Sequence, residues 1–555
     1  MYEETNLQSI VNSLKRSLTF DFNDRMELER LTYPTGVRRQ WHYDWLGRVT
    51  ESRNVKGNVT RYDDYDAMDR IVQLTEPDGN VHHFRYDDSG NLIHAKDKLR
   101  EVEFTYGPLG ILTSRKQGNR KVSFGYNTEL QLINIRNEKR EIYDFDLDGL
   151  GQVVAEYGFD GLERRYIRDG VGRVVRVLRP AERWTDYLYD GVGNVIKETQ
   201  YDGKETLYAY DNDNLLKKAY NDDCEVEFKR DIAGRIIEDR QNGYIVTRQF
   251  DENGNCIHTK SNLGADIRSV HNKYGHLQEM YSGDAWSASW KRDEVGLEIN
   301  RTINSGLDIR IRRDRFGRET KKNITTGNGI TQGSYSYQWG LGNRLLEKTN
   351  DITGLITTFE YNEFDDLISA DYINGMDTET IYRTPDRIGA LYKSWTCRDR
   401  VYDYGGKLLE DPEHYYHYDA EGNLIFKEYK ELQPGISIPF DRKKRAKELG
   451  LEFKGSGTGW QYDWYSNGML KLVIRLDGEE VSFKYDALGR RLTKVYNGTL
   501  TRWVWDGNTP LHECVTKFKN VNELNVPVAA DDENLTTWVF ENSTFVPAAK
   551  ITKNE

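Results

Sequence analysis

A short signature returns along nearly the whole chain: an aromatic residue, an aspartate, two variable positions, a glycine, then arginine or asparagine, about every 21 residues. Clear copies are Tyr43-Asp44-Trp45-Leu46-Gly47-Arg48, Tyr86-Asp87-Asp88-Ser89-Gly90-Asn91, Tyr189-Asp190-Gly191-Val192-Gly193-Asn194, Tyr418-Asp419-Ala420-Glu421-Gly422-Asn423 and Tyr485-Asp486-Ala487-Leu488-Gly489-Arg490. A unit this short cannot enclose a core of its own, so it must lie against its neighbours. Taking the aspartate slot from Asp21 through Asp44 and Asp66 to Asp506, with Trp339, Arg383 and Asp463 standing in it where aspartate is otherwise missing or displaced, gives 23 units. The largest break is the 44-residue step from Asp419 to Asp463, about two units long.

Aromatic residues favour the positions three and one before the slot, as in Trp41 and Tyr43 or Tyr187 and Tyr189. A spacing of two puts both rings on one face of a strand. The aspartate then opens a turn, its carboxylate accepting from the backbone N–H two residues on, while glycine supplies the positive φ that leaves it. A second turn follows about 13 residues after the slot, as at Lys56-Gly57-Asn58, Asp78-Gly79, Asn242-Gly243, Asp477-Gly478 and Asn497-Gly498. Two turns per repeat leave two short strands, so the expected fold is all-β: an unbroken run of antiparallel hairpins.

Hydrophobic residues make up 37% and mean hydropathy is -0.79, with tyrosine alone contributing 36 residues. A thin layer wetted on both faces fits these figures better than a thick oily interior. Twenty-three units at about 4.8 Å per strand would form a ribbon roughly 220 Å long, and open sheets beyond about 10 strands curl or close. A coil of about two turns would enclose a space roughly 25 to 35 Å across.

Net charge is -12 with both signs interspersed, which gives no basic stripe for a phosphate backbone and no direct nucleic-acid binding. No stretch approaches the ~18 apolar residues of a membrane span, and the first residues lack a signal-peptide pattern. Cys224, Cys256, Cys397 and Cys514 are widely separated and without CxxC spacing, so buried or incidental thiols are expected.

These repeats resemble the YD repeats of the Rhs family over nearly the whole sequence. The segments Gly455-Ser456-Gly457-Thr458-Gly459-Trp460, Arg502-Trp503-Val504-Trp505-Asp506 and Thr536-Thr537-Trp538 are similar to the later part of the core in Bacteroidota-type Rhs proteins. The resemblance implies a large hollow β-cocoon, or a partial shell of one, wound from tandem hairpins around a C-terminal toxin. The expected partners are a toxin domain or the remaining Rhs core, with a VgrG/PAAR-type spike and a chaperone. It also implies bacterial cytoplasm before export and then delivery by a specialised system, type VI secretion in interbacterial competition. The chain ends without the self-cleavage motif and variable toxin of that family and begins without a spike-like module, so a partial shell, truncation or split-gene product is expected.

The organisation read from the sequence is a repeat shell over 1–424, an insertion with a short basic helix and a glycine-rich connection over 425–459, repeats again over 460–518, and a C-terminal segment over 519–555. The sites singled out are structural: Tyr43, Asp44, Gly47, Tyr86, Asp87, Gly90, Tyr189, Asp190, Gly193, Tyr418, Asp419, Gly422, Tyr485, Asp486 and Gly489. No catalytic, cofactor or metal residue is assigned. The repeated aspartate serves its turn. His414 and His417 stand i and i+3 on an expected strand and point to opposite faces, and the neighbours His82 and His83 diverge for the same reason. The Gly455–Gly459 run lacks the Lys-Ser/Thr ending of a phosphate loop and is expected to be a flexible connection. Asp441 to Gly450 is the one helix-like piece, with Asp441 as N-cap and a solvated basic face.

The expected function is a non-catalytic encapsulating shell that sequesters a toxin. The alternatives are a toxin-complex TcC-like component and a carbohydrate-binding or adhesion module, the latter requiring Trp286, Trp290 and Trp395 to lie in an open groove.

Overall fold

The computed structural model describes residues 2–3, 6–11, 16–435, 442–519, 524, 526–541 and 544–553. Strands from Ser9–Val11 to Asp377–Tyr382 form a 36-stranded sheet, and strands from Val401–Tyr402 to Pro547–Thr552 form a 12-stranded one. Pairing is antiparallel between strands consecutive in the chain, as expected of serial hairpins. Strands such as Glu101–Tyr106 alternate exposed and half-buried positions, the period-two pattern of a sheet with two unequal faces.

A bulge recurs at one place in each repeat. Register shifts between His42 and Tyr43, Arg85 and Tyr86, Leu188 and Tyr189, and Lys484 and Tyr485, always at the residue before the turn. Each bulge adds local twist and bends its strand. A bend repeated every 21 residues keeps the ladder from running flat, a device the spacing alone did not announce.

The structure moves four of the slots. Asp21 lies inside strand Ser17–Phe22, and the turn belongs to Asn23, whose N–H donates to Glu27 O. Trp339 and Trp464 occupy the aromatic position, so the turns start at Gly340 and Tyr465 in place of Trp339 and Asp463. Arg383 gives way to Asp386, whose Oδ1 accepts from the N–H groups of Ile388 and Ala390. Aspartate is abundant enough to sit beside the slot by chance, whereas the aromatic residue marks it.

The chain divides into two compact units, one of Met1–Arg140, His271–Glu279 and Ala288–Arg398, the other of Glu141–Val270, Met280–Ser287 and Asp399–Glu555. Inside each unit, second turns of the earlier strands meet aspartate turns of later ones. In the first unit Lys56 Nζ lies 3.2 Å from Asp293, Asn58 Nδ2 donates to Arg315 O at 2.9 Å, and Arg120 pairs with Asp366 at 2.8 Å. In the second, Arg183 pairs with Asp419 at 3.1 Å, Asn221 Nδ2 donates to Tyr485 O at 3.1 Å, and Gln241 Nε2 donates to Trp505 O at 2.7 Å. Partners along these seams are 236 to 264 residues apart, about twelve repeats.

Apolar burial is sparse and uneven. Among the described residues, the buried apolar side chains of the first unit are Leu277, Ala288, Trp290 and Ile311, while the second holds the Cys224-Val226-Phe228 and Val473-Val481-Phe483-Tyr485 clusters. Solvent-accessible area is 32427 Å². A compact globule of 64.7 kDa would expose about 20,000 Å².

Strands Leu424–Tyr429 and Gly459–Trp464 pair directly, with Phe426 opposite Gln461. Between them lies the helix Arg442–Leu449, whose Arg445 donates to Gln461 Oε1 at 3.0 Å; Asp441 lies outside the described residues. A Cβ on Gly459 would stand 2.0 Å from Lys427 O, so this strand edge admits only glycine without rearrangement. Gly459→Ala should lower the thermal midpoint by several degrees in circular dichroism melts. Gly478→Ala, with no atom near but a φ of +85°, should cost only about 1 kcal/mol.

Candidate functional site

The recurring chemistry of this chain is its aspartate turn. At Asp44, Oδ1 accepts from the backbone N–H of Leu46 at 2.9 Å and of Arg48 at 3.0 Å, while Oδ2 accepts from Arg48 Nε at 2.7 Å. Asp66, Asp169, Asp231, Asp314 and Asp486 repeat this arrangement with Arg70, Arg173, Arg235, Arg318 and Arg490. Where asparagine follows, its Nδ2 donates instead, from Asn91 to Asp87, Asn194 to Asp190 and Asn423 to Asp419. The glycine three residues after the aspartate takes φ between +80° and +100° at Gly47, Gly90, Gly193, Gly422 and Gly489. That conformation is costly for any side chain with a Cβ.

The arginine then reaches into the next repeat. Arg70 stacks 4.7 Å over the Tyr86 ring and donates to Asp87 O, Arg173 lies 4.8 Å over Tyr189 and donates to Asp190 O, and Arg235 covers Phe250 and donates to Asp251 O. Such a cation over a ring adds about 0.5–1 kcal/mol at an exposed site. The ring reaches back: Tyr43, Tyr86, Tyr189 and Tyr418 donate their hydroxyls to the carbonyls of Leu28, Ile71, Val174 and Leu408, at 2.7 to 3.0 Å. Neighbouring repeats are therefore clipped in both directions. Tyr485 is buried in the second unit.

Tyrosine is replaceable at this position by another long donor. Trp339, Trp464 and Trp505 send Nε1 to the carbonyls of Glu319, Leu424 and Arg491, and Arg168, Arg230 and Arg313 send guanidinium N–H groups to Val153, Leu216 and Glu298. Reading the aromatic residues as one face of a strand missed this donor role. The signal was present in the alternation of Tyr, Trp and Arg at a single register.

Electrostatics follow from these bonds. Desolvation pushes the carboxyls of Asp44, Asp66 and Asp169 up, but the backbone and side-chain bonds from the following arginine outweigh it and hold them below the usual range. At Asp190 and Asp231 the side-chain bond from Asn194 or Arg235 is the largest influence, with the same outcome. In the second unit Arg490 joins its own Asp486 at 2.7 Å to Asp239 at 3.3 Å, all three buried, and burial pushes the Asp239 carboxyl up.

The glycine-rich run is not a loose connection. The backbone N–H groups of Lys454, Gly455 and Gly457 donate to the fully buried Glu428 carboxylate at 2.8 to 3.0 Å, and His417 Nε2 lies 2.9 Å from it. Glycines that lack the residues of a phosphate loop here cradle an anion belonging to the protein itself. Burial raises the Glu428 pKa, and the His417 and backbone bonds more than reverse it. His414 turns to Asp411 at 3.1 Å, and His82 lies 3.5 Å from Asp97. Burial pushes the Cys224 and Cys514 thiols up to about 12. Trp290 is buried, Trp286 half-buried and Trp395 exposed, which is not the open aromatic groove that sugar recognition would need. Among the described residues no helix is long and apolar enough to cross a membrane.

Residues 2–180 match the family described as teneurin YD-shell. Over 89% of its length the chain is 24% identical to the double-stranded DNA deaminase toxin A of Burkholderia cenocepacia, and over 88% it is 25% identical to the probable deoxyribonuclease RhsB of Dickeya dadantii. By these matches the chain is similar to Rhs/YD-repeat proteins over most of its length. It spans about a third of the length of these relatives, 32% and 34%. The YD-repeat fold also aligns with the Photorhabdus luminescens Tc holotoxin pore carrying a TccC3 mutation (TM-score 0.61, 12% identity, 97% of this chain and 31% of that one). It aligns as well with the TcdB2-TccC3-TEV structure (TM-score 0.58, 13% identity, 95% of this chain and 31% of that one).

Two measurements check the clip. Tyr189→Phe should cost about 1 kcal/mol and speed amide exchange around Val174, whereas Asp190→Ala should cost more, because three turn N–H groups and the Asn194 side-chain amide lose their acceptor together. Stability should also fall with acid in two steps. His512, buried between Ser261 and Thr537, has its pKa lowered to about 4 by burial, so its contribution is complete above the unfolded value of about 6.5 and is lost as pH falls from there through about 4. The turn carboxylates, also depressed, lose theirs only below about pH 4. His512→Gln should erase the first step in pH-dependent melts and leave the second.

Proposed function

We propose that this chain forms part of the wall of a toxin-encapsulating shell and is itself non-catalytic. The observation that carries the reading is the repeat architecture itself: hairpins in two long series, clipped repeat to repeat, exposing far more surface than a globule of this mass. Its alignment with about a third of much longer proteins named for DNA deamination and deoxyribonuclease activity supports a division of labour, in which the repeats enclose and another segment acts. A polar, hydrated lining offers no apolar surface on which a compact cargo could gain stability, so enclosure works by exclusion. In this reading the repeat residues Tyr43, Asp44, Gly47 and their equivalents hold the wall, and the repeats 1–424 and 460–518 are one shell interrupted by the 425–459 insertion. The partner is a toxin domain or the remaining Rhs core, kept in the bacterial cytoplasm until a specialised secretion system delivers it against competing cells. A VgrG/PAAR-type spike would supply that route.

Two experiments test this. Small-angle scattering of the purified chain should give a radius of gyration above the ~24 Å of a compact 555-residue globule; a value at or below it would remove the hollow wall. A toxin segment co-expressed with the full assembly should survive protease until the shell is unfolded, and equal cleavage of cargo with intact and denatured shell would refute containment.

A further inference from the structure

One repeat of the first unit departs from the clip. Elsewhere the arginine four residues after the slot covers the ring that stands one before the next slot, as Arg70 covers Tyr86. Between Asn272 and Asp293 both partners are exchanged: His276 stands in the arginine's place and Arg292 in the ring's, where it donates to the carbonyls of Leu277 and Gly296 at 3.3 and 3.2 Å. Two other repeats with arginine in the ring position, at Arg230 and Arg313, carry Leu215 and Leu297 in the place before it, packed against Gly234 and Gly317. Here the side chain against the matching glycine, Gly296, is an imidazole. Beside this exchange lies a cavity of about 490 Å³, lined by Thr35, Asn272, Tyr274, His276 and Trp290 among others, a volume within the range of small-molecule sites.

Two of the residues that line it carry a buried polar atom with no hydrogen-bond partner among the described residues: Trp290 Nε1, on a side chain 4% exposed, and Thr35 Oγ1. Each is the one polar atom of its side chain, the first a donor and the second able to donate or accept. Trp339, Trp464 and Trp505 all bond Nε1 to a carbonyl. Leaving a buried donor unmade is destabilising, so two such atoms beside one cavity mark a place shaped for something that enters it. One face of the indole is covered by Arg301, 5.1 Å from the ring centroid, which leaves its N–H edge for recognition. The charged groups of the lining are balanced. Asp293 is held by Lys56 and by the N–H groups of Val295 and Leu297, Arg292 by its two carbonyls, and the exposed Lys291 and Glu294 are one of each sign. An ion would find no uncompensated partner there, whereas a neutral group that both accepts and donates matches the two atoms.

We infer that this cavity is a binding site for a small uncharged carboxamide, whose oxygen accepts from Trp290 Nε1 and whose N–H donates to Thr35 Oγ1. The same group occurs in free amides and in the side chains of asparagine and glutamine, and the site reads the group that they share. The shell reading does not depend on this site, nor the site on that reading.

The test is NMR of the indole N–H groups in the full chain carrying isotope-labelled tryptophan, at about pH 8, where an ordinary imidazole is neutral. The Trp290 signal is assigned by its loss in Trp290→Phe. Acetamide should move that signal saturably, with a dissociation constant of about 1–10 mM. Acetone keeps the oxygen and lacks the N–H, and Thr35→Val keeps the side-chain shape and lacks the hydroxyl; each should weaken binding at least about fivefold. Thr35→Val should leave the thermal midpoint unchanged, since the hydroxyl it removes makes no bond within the described residues. N-acetyl-glutamine methylamide separates the two sources: binding tighter than that of acetamide assigns the site to a glutamine side chain, and weaker binding assigns it to a free amide. No saturable shift, an equal affinity in Thr35→Val, or acetate binding more tightly than acetamide would overturn the inference.

Discussion

The structure depends on a carboxylate that cannot leave its turn. Repeat aspartates such as Asp169 accept two backbone N–H groups and a side-chain donor four residues on, so one side chain closes the hairpin end and orients the arm that leaves it. The oriented arginine covers the next ring, and the next ring bonds back. Order is passed from repeat to repeat by short contacts, which is how a chain with 37% hydrophobic residues holds a sheet of this length.

Across the seams within each unit, the contacts are again polar and directional. Salt bridges such as Lys56–Asp293 and amide-to-carbonyl bonds such as Gln241–Trp505 fix which turn faces which. Exposed ion pairs contribute little to stability, so their value here lies in register: a mismatched turn would leave a backbone carbonyl or an aspartate without its donor. The second unit adds a buried layer, including the Asp239-Arg490-Asp486 cluster, where removing one partner would strand a charge.

Much of this was legible from residue order. The spacing gave the hairpins and their turns, and Asp44, Asp190 and Asp486 close turns where the motif placed them. Slots without a clean motif were misplaced at Asp21, Trp339, Arg383 and Asp463, because composition supplies decoy aspartates and the bulge before each turn shifts the count by a residue. The Gly455–Gly459 run was opaque for another reason: its ligand, Glu428, lies 27 residues away, and local composition reports flexibility but not what a backbone will wrap. The seams were invisible because partners 236 to 264 residues apart carry no local mark.

The interchange of Tyr, Trp and Arg before the turn has a consequence for how such proteins change. What most copies supply there is reach and a proton to donate, which three unrelated side chains provide, while Phe22, Leu147 and Phe250 hold the same register without a donor. Substitutions among them cross large distances in chemical similarity while leaving the bonded network whole. Alphabet and architecture can therefore part company, and a shared outline at 12% identity is the natural state of a scaffold whose grammar is written in donors and acceptors.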